Sequence, residues 1–373
     1  LASWLADVLV GFLPGDNMSL AIQTSPDLAV LGFTAGLTIF TALLFGLVPA
    51  WQGTRPNLAS ALKNEAASVS ASMGQKRLRR VLVCAQVALS LVLLFAAGLF
   101  AKSLHELMSV NTGMNVSHVV EFTIDPSLHR YTPQRSRQLF VELQDKVRHL
   151  PGALSASAIS APILADDGWM NTVHVEGYKP HHGENMNPGF NQMLPGFFTT
   201  MGVPLIAGRD FSQRDSVGAP LVAIVNETFV KRFVRHGSPL GLHFGLGGVG
   251  PMPYEIIGVA PDMKVTDLKQ KAEPYTYMST LQDEKPSSMT YYVRTAQNPK
   301  AVTRSIRQAL RGLDPSLPMY DVKTIEEQID QTQFIDRLFA WLSSAFGILA
   351  TLLASVGLFG ITSYSVTRRT REI

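Results

Sequence analysis

The sequence predicts a membrane protein: α-helical transmembrane segments that carry one mixed α+β domain outside the membrane. Three observations predict it. Charged residues make up 16% of the 373 residues, against roughly 25% in ordinary soluble domains. Three long runs, 28–51, 81–101 and 338–364, contain no Asp, Glu, Lys or Arg. Between the second and third lies a stretch, 102–337, with strand and helix patterning and normal charge.

About 20 apolar residues cover a hydrocarbon core of ~30 Å, so each uncharged run is long enough to span. Gly, Ala, Ser and Thr recur among the Leu and Phe of all three, which suits close helix packing in lipid. Short flanks set the orientation, because Lys and Arg stay on the cytoplasmic side. The linker 52–80 holds Arg55, Lys63, Lys76, Arg77, Arg79 and Arg80 against Glu65. The tail 365–373 holds Arg368, Arg369 and Arg371, whereas 1–27 has Asp7, Asp16 and Asp27 and no Lys or Arg. These charges place 52–80 and 365–373 inside, 1–27 outside, and 102–337 outside, with Lys102 at the start of the outer domain. Within the linker, RPNLASALK opens with Pro56 and Asn57 as a short helix, and ASVSASMGQ (67–75) reads as a flexible Ser/Ala segment. Cys84 is the only cysteine, so this sequence forms no internal disulfide. It begins with Leu and ends in a basic run, and is read as a piece of something longer.

The outer domain predicts two β-α-β units. HVVEFTI (118–124) is the first strand. Thr132-Pro133 caps a helix with Leu139, Phe140, Leu143, Val147 and Leu150 on one face. Pro151-Gly152 ends it, and LSASAIS (154–160) alternates as a strand. The second unit comprises MTYYVRT (289–295), a helix from Pro299 bearing Val302, Ile306, Leu310 and Leu313, and a short strand near Met319–Val322. Two such units suggest a split ferredoxin-like half. The segment 165–288 between them reads as an inserted subdomain of short strands, clearest at LVAIVNETF (221–229) and YEIIGVAPDM (254–263). At the domain's end, Thr324-Ile-Glu-Glu327 is a capping box. No proline follows it, and Phe334 and Ile335 lead directly into the third run. One long helix is therefore expected, with 324–337 as a stalk.

Candidate chemistry is sparse. Gly245-x-Gly247-x-x-Gly250 matches a dinucleotide fingerprint, but Pro251 and Pro253 follow where a helix should start. A glycine-rich hairpin loop is the better reading. No G-x-x-x-x-G-K-[ST] occurs, so no P-loop holds ATP here. His181-His182 has no partner at metal-ligand spacing, and Asp166-Asp167 reads as a turn. Catalytic, cofactor and metal residues are assigned to none. The net charge of +3 gives no field for nucleic acid. Gln86 and Ser90, one turn apart in the second run, read as a helix-helix hydrogen-bonding pair in lipid.

Several segments together resemble a known family. RRVLVCAQVALSLVLLFAAGLFAKSLHEL (79–107) resembles the first span of FtsX-like/MacB-like ABC transporter permeases. LPGFFTTMGVPLIAGRDF (194–211), VAIVNETFVKRF (222–233), PLG (239–241) and YEIIGVAPDMK (254–264) are similar to their periplasmic core domain. SVTRRTREI (365–373) resembles the start of their cytoplasmic loop. LLFGLVPAWQGTRPNLASALK (43–63) resembles the last span and tail of a preceding unit, as in the duplicated permeases of acidobacteria. The resemblance implies a plasma-membrane permease subunit of a mechanotransmission or efflux system. ATP hydrolysis would sit in a separate cytoplasmic ABC ATPase subunit, contacted by Thr370, Arg371, Glu372 and Ile373. It also implies other permease units as partners, as dimer or pseudo-dimer, membrane lipid around the spans, and a periplasmic or outer-membrane partner. A membrane-anchored sensor or scaffold, such as an FtsX-like regulator of an envelope enzyme, is the rival reading. It would need an output domain, and the cytoplasmic segments here are short basic stubs.

Overall fold

A computed structural model describes residues 28–53, 68–108, 111–165, 168–266, 268–296 and 298–369. They divide into two compact units: the helices up to His105 and from Phe334 onward, and the domain Glu106–Gln333.

The helical unit contains α1 (Leu28–Gly53) and α2 (Ser68–Met108). Within α1, Leu28–Leu43 is apolar. Cys84–Ser103 in α2 and Asp336–Val356 in the last helix are long and apolar enough to cross a membrane, and only 11% of each is buried within the protein. A core helix of a soluble domain would be mostly covered. Hydroxyls in these helices are turned back on their own backbone. Thr34 donates to the Val30 carbonyl at 2.8 Å, Thr38 to Thr34 at 2.7 Å, and Thr351 to Gly347 at 2.7 Å. Such bonds satisfy each hydroxyl within its own helix. The linker expectation needs correction. ASVSASMGQ is not a flexible segment; from Ser68 it forms the first turns of α2. Alanine favours helix and serine tolerates it, so propagation from the long apolar part of α2 decides its conformation. At the other end, α2 continues past Lys102 to Met108, and the outer unit begins at Glu106. RPNLASALK and Asp166-Asp167 lie outside the described residues.

The outer unit is built on a twelve-stranded sheet. The strand β1 (Val119–Ile124), the helix α3 (Pro133–Arg148) and β2 (Ala153–Ile159) form the first predicted β-α-β segment. Thr132 caps α3 by accepting from the Arg135 amide. Next come β3 (Trp169–Met170), β4 (Val173–Val175), β5 (Gly189–Met193), α4 (Phe197–Thr200), β6 (Ala207–Gly208), β7 (Leu221–Asn226), α5 (Glu227–Phe233), β8 (His243–Leu246), β9 (Tyr254–Ala260) and β10 (Tyr275–Ser279). The second predicted segment is β11 (Met289–Thr295), α6 (Pro299–Arg311) and β12 (Tyr320–Thr324), and α7 (Ile325–Arg369) follows without a break.

The sheet order is β12-β1-β11-β2-β5-β10-β7-β9-β8-β4. Its first four strands interleave the two β-α-β segments with antiparallel pairing throughout. On one face, Leu139, Phe140, Leu143 and Val147 of α3 and Val302, Ile306 and Leu310 of α6 pack on Val120, Phe122, Tyr291 and Val293. Each fully buried large apolar side chain contributes roughly 1.5–3 kcal/mol. The segment 165–288 joins the same sheet through the Ile159–Met193 pairing of β2 with β5. The last three residues of LVAIVNETF are helical rather than strand, because the Asn226 side chain accepts from the Phe229 amide and caps α5. The glycine-rich motif joins the antiparallel strands β8 and β9, as a hairpin loop should.

Candidate functional site: the foot of the last helix

Both chain segments that lead to the apolar helices are tied into one hydrophobic cluster of the outer unit. The inbound segment contributes Met114, Val116 and Val119, and the outbound helix α7 contributes Ile325 and Ile329. They share this cluster with Ile163, Phe197, Phe198, Met201 and Tyr292.

Ahead of β1, residues 111–118 of the inbound segment form no helix or strand and are held by hydrogen bonds. The Asn115 amide donates to the Met201 carbonyl at 2.8 Å, and the Lys264 amide donates to the Thr112 carbonyl at 2.9 Å. Arg294 on β11 clamps the segment further. Its guanidinium donates to the carbonyls of Thr200 at 2.8 Å and Ser117 at 3.0 Å, and to that of Asn115. Three carbonyls on one planar cation fix the path of this segment with a geometry only arginine offers. Burial lowers the Arg294 pKa.

The outbound helix is fastened by its first turns. The Glu327 amide donates to Thr324 Oγ1 at 3.1 Å, and the Thr324 amide donates to Glu327 Oε2 at 2.9 Å. This is the reciprocal capping box, and it satisfies amides that a helix start leaves open. Lys300 lies 2.8 Å from Glu327 and, with the Thr324 amide, holds the Glu327 carboxyl below its usual range. Glu326 accepts from the His118 amide at 3.2 Å, joining the inbound and outbound segments directly. Gln328, buried, donates to the Ile163 carbonyl at 2.7 Å. Removing the cap by Thr324→Ala is expected to cost about 1 kcal/mol. The effect should appear as faster hydrogen exchange of the first α7 turn, with the rest of the domain unchanged.

The segment 194–211 forms the floor of this junction. Gly196, in the left-handed region at φ 84°, starts α4. Phe197 meets Tyr292 edge-on at 5.8 Å, and Phe198 meets Tyr277 edge-on at 5.3 Å. Asp210 ties the loop's two ends, accepting from the Gly196 amide at 3.2 Å and the Phe211 amide at 2.7 Å. Asp215 accepts both guanidinium nitrogens of Arg209 at 2.8 Å, which holds its carboxyl below the usual range.

The other predicted residues fall elsewhere. Ser90 is buried and donates to Gln86 O at 2.8 Å and, across to the last helix, to Ala350 O at 3.0 Å. Gln86 contributes that backbone carbonyl and is partly buried. Beside this bond Gly347 faces Ala97, and Phe100 stacks on Phe339 with ring centres 6.3 Å apart. Phe334 is partly buried and Ile335 lies within α7. Thr370, Arg371, Glu372 and Ile373 lie outside the described residues. His181 Nε2 accepts from the Arg235 guanidinium at 3.1 Å in a surface loop, and His182 is exposed there. Glu326, Gln328, Arg294, Tyr292 and Glu121 had not been singled out from the sequence. The lone acid in VVEFTI and the lone arginine in TYYVRT were the available signals.

A family model described as the MacB-like periplasmic core domain matches residues 85–309. The chain belongs to this family. The uncharacterized ABC transporter permease YknZ of Bacillus subtilis is 25% identical over 199 residues, covering 52% of this chain and 49% of YknZ. The macrolide export ATP-binding/permease protein MacB of Marinobacter nauticus is 24% identical over 180 residues, covering 46% of this chain and 27% of MacB. This MacB-like chain thus spans about half of one relative's length and about a quarter of the other's. The crystal structure of the periplasmic region of MacB from Actinobacillus actinomycetemcomitans covers 60% of this chain and 98% of that one, at 15% identity and a TM-score of 0.38.

Proposed function

We propose that this MacB-like chain is part of the permease component of an ABC-type system, in which α7 carries ATP-driven motion between a cytoplasmic ATPase and the outer domain. The single observation that carries this reading is the continuity of α7. One helix runs from Ile325, locked at its foot by the capping box, to Arg369 in the basic tail. An unbroken helix is the stiffest element a chain can offer between two distant sites. In this reading 28–51, 81–101 and 338–364 span the inner membrane, 102–337 is periplasmic, and 324–337 is the stalk. The interleaved half-sheet is a ferredoxin-like scaffold that anchors it. Thr370, Arg371, Glu372 and Ile373 open the loop that meets the separate ATPase subunit. Further permease units complete the assembly, and efflux or action on an envelope partner is the output.

The test breaks the helix without touching its foot. An Ile335→Pro substitution removes a backbone hydrogen bond and costs about 3 kcal/mol or more of helix continuity. In the full-length permease reconstituted with its ATPase, hydrolysis and membrane insertion should persist. The ATP-dependent change in distance between two fluorophores on the outer domain should disappear. A distance change of normal size in the proline variant would refute the reading.

A further inference from the structure

The edge strand β12 leads straight into α7, and its attachment is unusual. Among the described residues it pairs only with β1, and that pairing is irregular between Glu121 and Thr123. Asp321 sits in the left-handed region at φ 48° within the irregular stretch. A bulge of this kind weakens an edge ladder and redirects the side chains around it. Beside it stands Glu121, the one charged residue of β1, with 2% of its surface exposed. In the sheet it lies between Lys323 on β12 and Tyr292 on β11.

The surroundings of Glu121 satisfy its charge poorly. Its Oε1 is 3.7 Å from Lys323 Nζ, too long for a hydrogen bond. Its Oε2 is buried with no hydrogen-bond partner among the described residues. Asp321 adds like charge from β12, and the Tyr292 hydroxyl lies beside the carboxyl from β11. That hydroxyl accepts from the Ile163 amide at 3.0 Å, and the Ile163 carbonyl accepts from Gln328 of α7 at 2.7 Å. Gln328 Oε1 is a second buried acceptor with no hydrogen-bond partner among the described residues. These two buried acceptors thus lie at the ends of one chain of contacts, from Glu121 through Tyr292 and Ile163 to Gln328, and a protonated carboxyl adds a donor to that chain. The other acids of the α7 foot are occupied elsewhere, Glu326 with the His118 amide and Glu327 with Lys300.

We propose that Glu121 is a proton-binding site of the outer domain, and that proton uptake there changes how firmly β12, and with it the foot of α7, is held. Ionised Glu121 ties β1 to β12 through Lys323 across the irregular pairing. Protonated Glu121 releases Lys323, which is partly exposed and can turn to water, and changes from acceptor to donor beside the Tyr292 hydroxyl. Burial pushes this carboxyl up from 4.5 to about 7, so both states are populated near neutral pH. The sign follows. Between about 4.5 and about 7 the folded protein holds a proton that the unfolded chain has lost. The stability this group contributes is full below about 4.5 and is lost as pH rises through about 7.

The experiment uses the full chain in detergent and three variants. Infrared difference spectra between pH 5 and 9 should show a protonated-carboxyl stretch that fades near neutral pH and is missing from Glu121→Gln. Lys323→Met removes the cation that favours ionisation, so proton affinity at Glu121 should rise about tenfold or more. An ordinary buried acid with no link to α7 would leave that midpoint unmoved in Gln328→Leu. Linkage is reciprocal, so a coupled site must shift in that variant. No carboxyl titrating between pH 5 and 9, or a band that survives Glu121→Gln, overturns the proton site. A Gln328→Leu midpoint equal to the wild type overturns the coupling. The coupling clause rests on reading α7 as a transmission helix, whereas the titration does not, so the two failures are told apart.

Discussion

Replacing Gly208 by alanine is expected to destabilise the outer domain by more than about 3 kcal/mol, the sum of two separate penalties. Gly208 sits in β6 at φ 78°, where a β-carbon costs roughly 1–2 kcal/mol in any surroundings. The added carbon would also lie 2.1 Å from the Ile257 carbonyl oxygen and 2.7 Å from the Gly258 α-carbon. Both are backbone atoms of β9, so no side chain can swing aside. The strands must separate, which breaks the bonds from Ile206 N to Val259 O at 2.8 Å and from Arg209 N to Ile257 O at 3.0 Å. Gly177 is the control. It has a similar φ of 73° but nothing within 4 Å of a β-carbon, so Gly177→Ala should cost only the conformational term of about 1–2 kcal/mol. Urea denaturation of the full chain in detergent measures both. Equal midpoints for the two variants would show that the β6–β9 approach is looser than described.

The contrast between these two glycines shows why part of this fold was legible in the sequence and part was not. Strands β1, β2 and β11 and helices α3 and α6 could be read because their signals are local. Thr132-Pro133 and Asn298-Pro299 cap helices, and Leu139, Phe140, Leu143 and Val147 recur at helical spacing. The capping box at Thr324 and Glu327 was legible for the same reason. The segment 165–288 was opaque because its pairings are distant. Strand β5 runs parallel to β10 and β7 runs parallel to β9, and β3 and β6 are two residues each. The buried cluster under α7 was hidden by its long reach, since Gln328 and Ile163 are 165 residues apart. Glu121 and Lys323 meet through strand register, which a sequence does not display. The helical start at Ser68 is not legible in the sequence because serine and alanine suit coil and helix alike, and only continuity with the rest of α2 separates them.

Phe198→Ala should lower stability by about 3–5 kcal/mol, the cost of removing a phenyl ring from a packed core. Phe198 lies in 194–211, one of the stretches similar to the MacB-like periplasmic core domain, and such a stretch invites a reading as a ligand-binding motif. Its geometry argues otherwise. Phe198 is 1% exposed and meets Tyr277 edge-on, while Phe197 on the same short helix meets Tyr292. Phe198 also places its carbonyl to accept from the Val203 amide at 2.8 Å, which closes the turn onto the inbound segment. The motif is therefore the floor on which the first and last segments of the outer domain rest. Leu154→Ala supplies the comparison, because Leu154 is 62% exposed and should change stability by no more than about 0.5 kcal/mol. If the motif were instead a docking surface, Phe198→Ala would leave the denaturation midpoint near that of Leu154→Ala and impair only partner binding. A fall in the midpoint of the whole outer domain, with the near-UV aromatic signal lost in the same transition, is the outcome that packing requires.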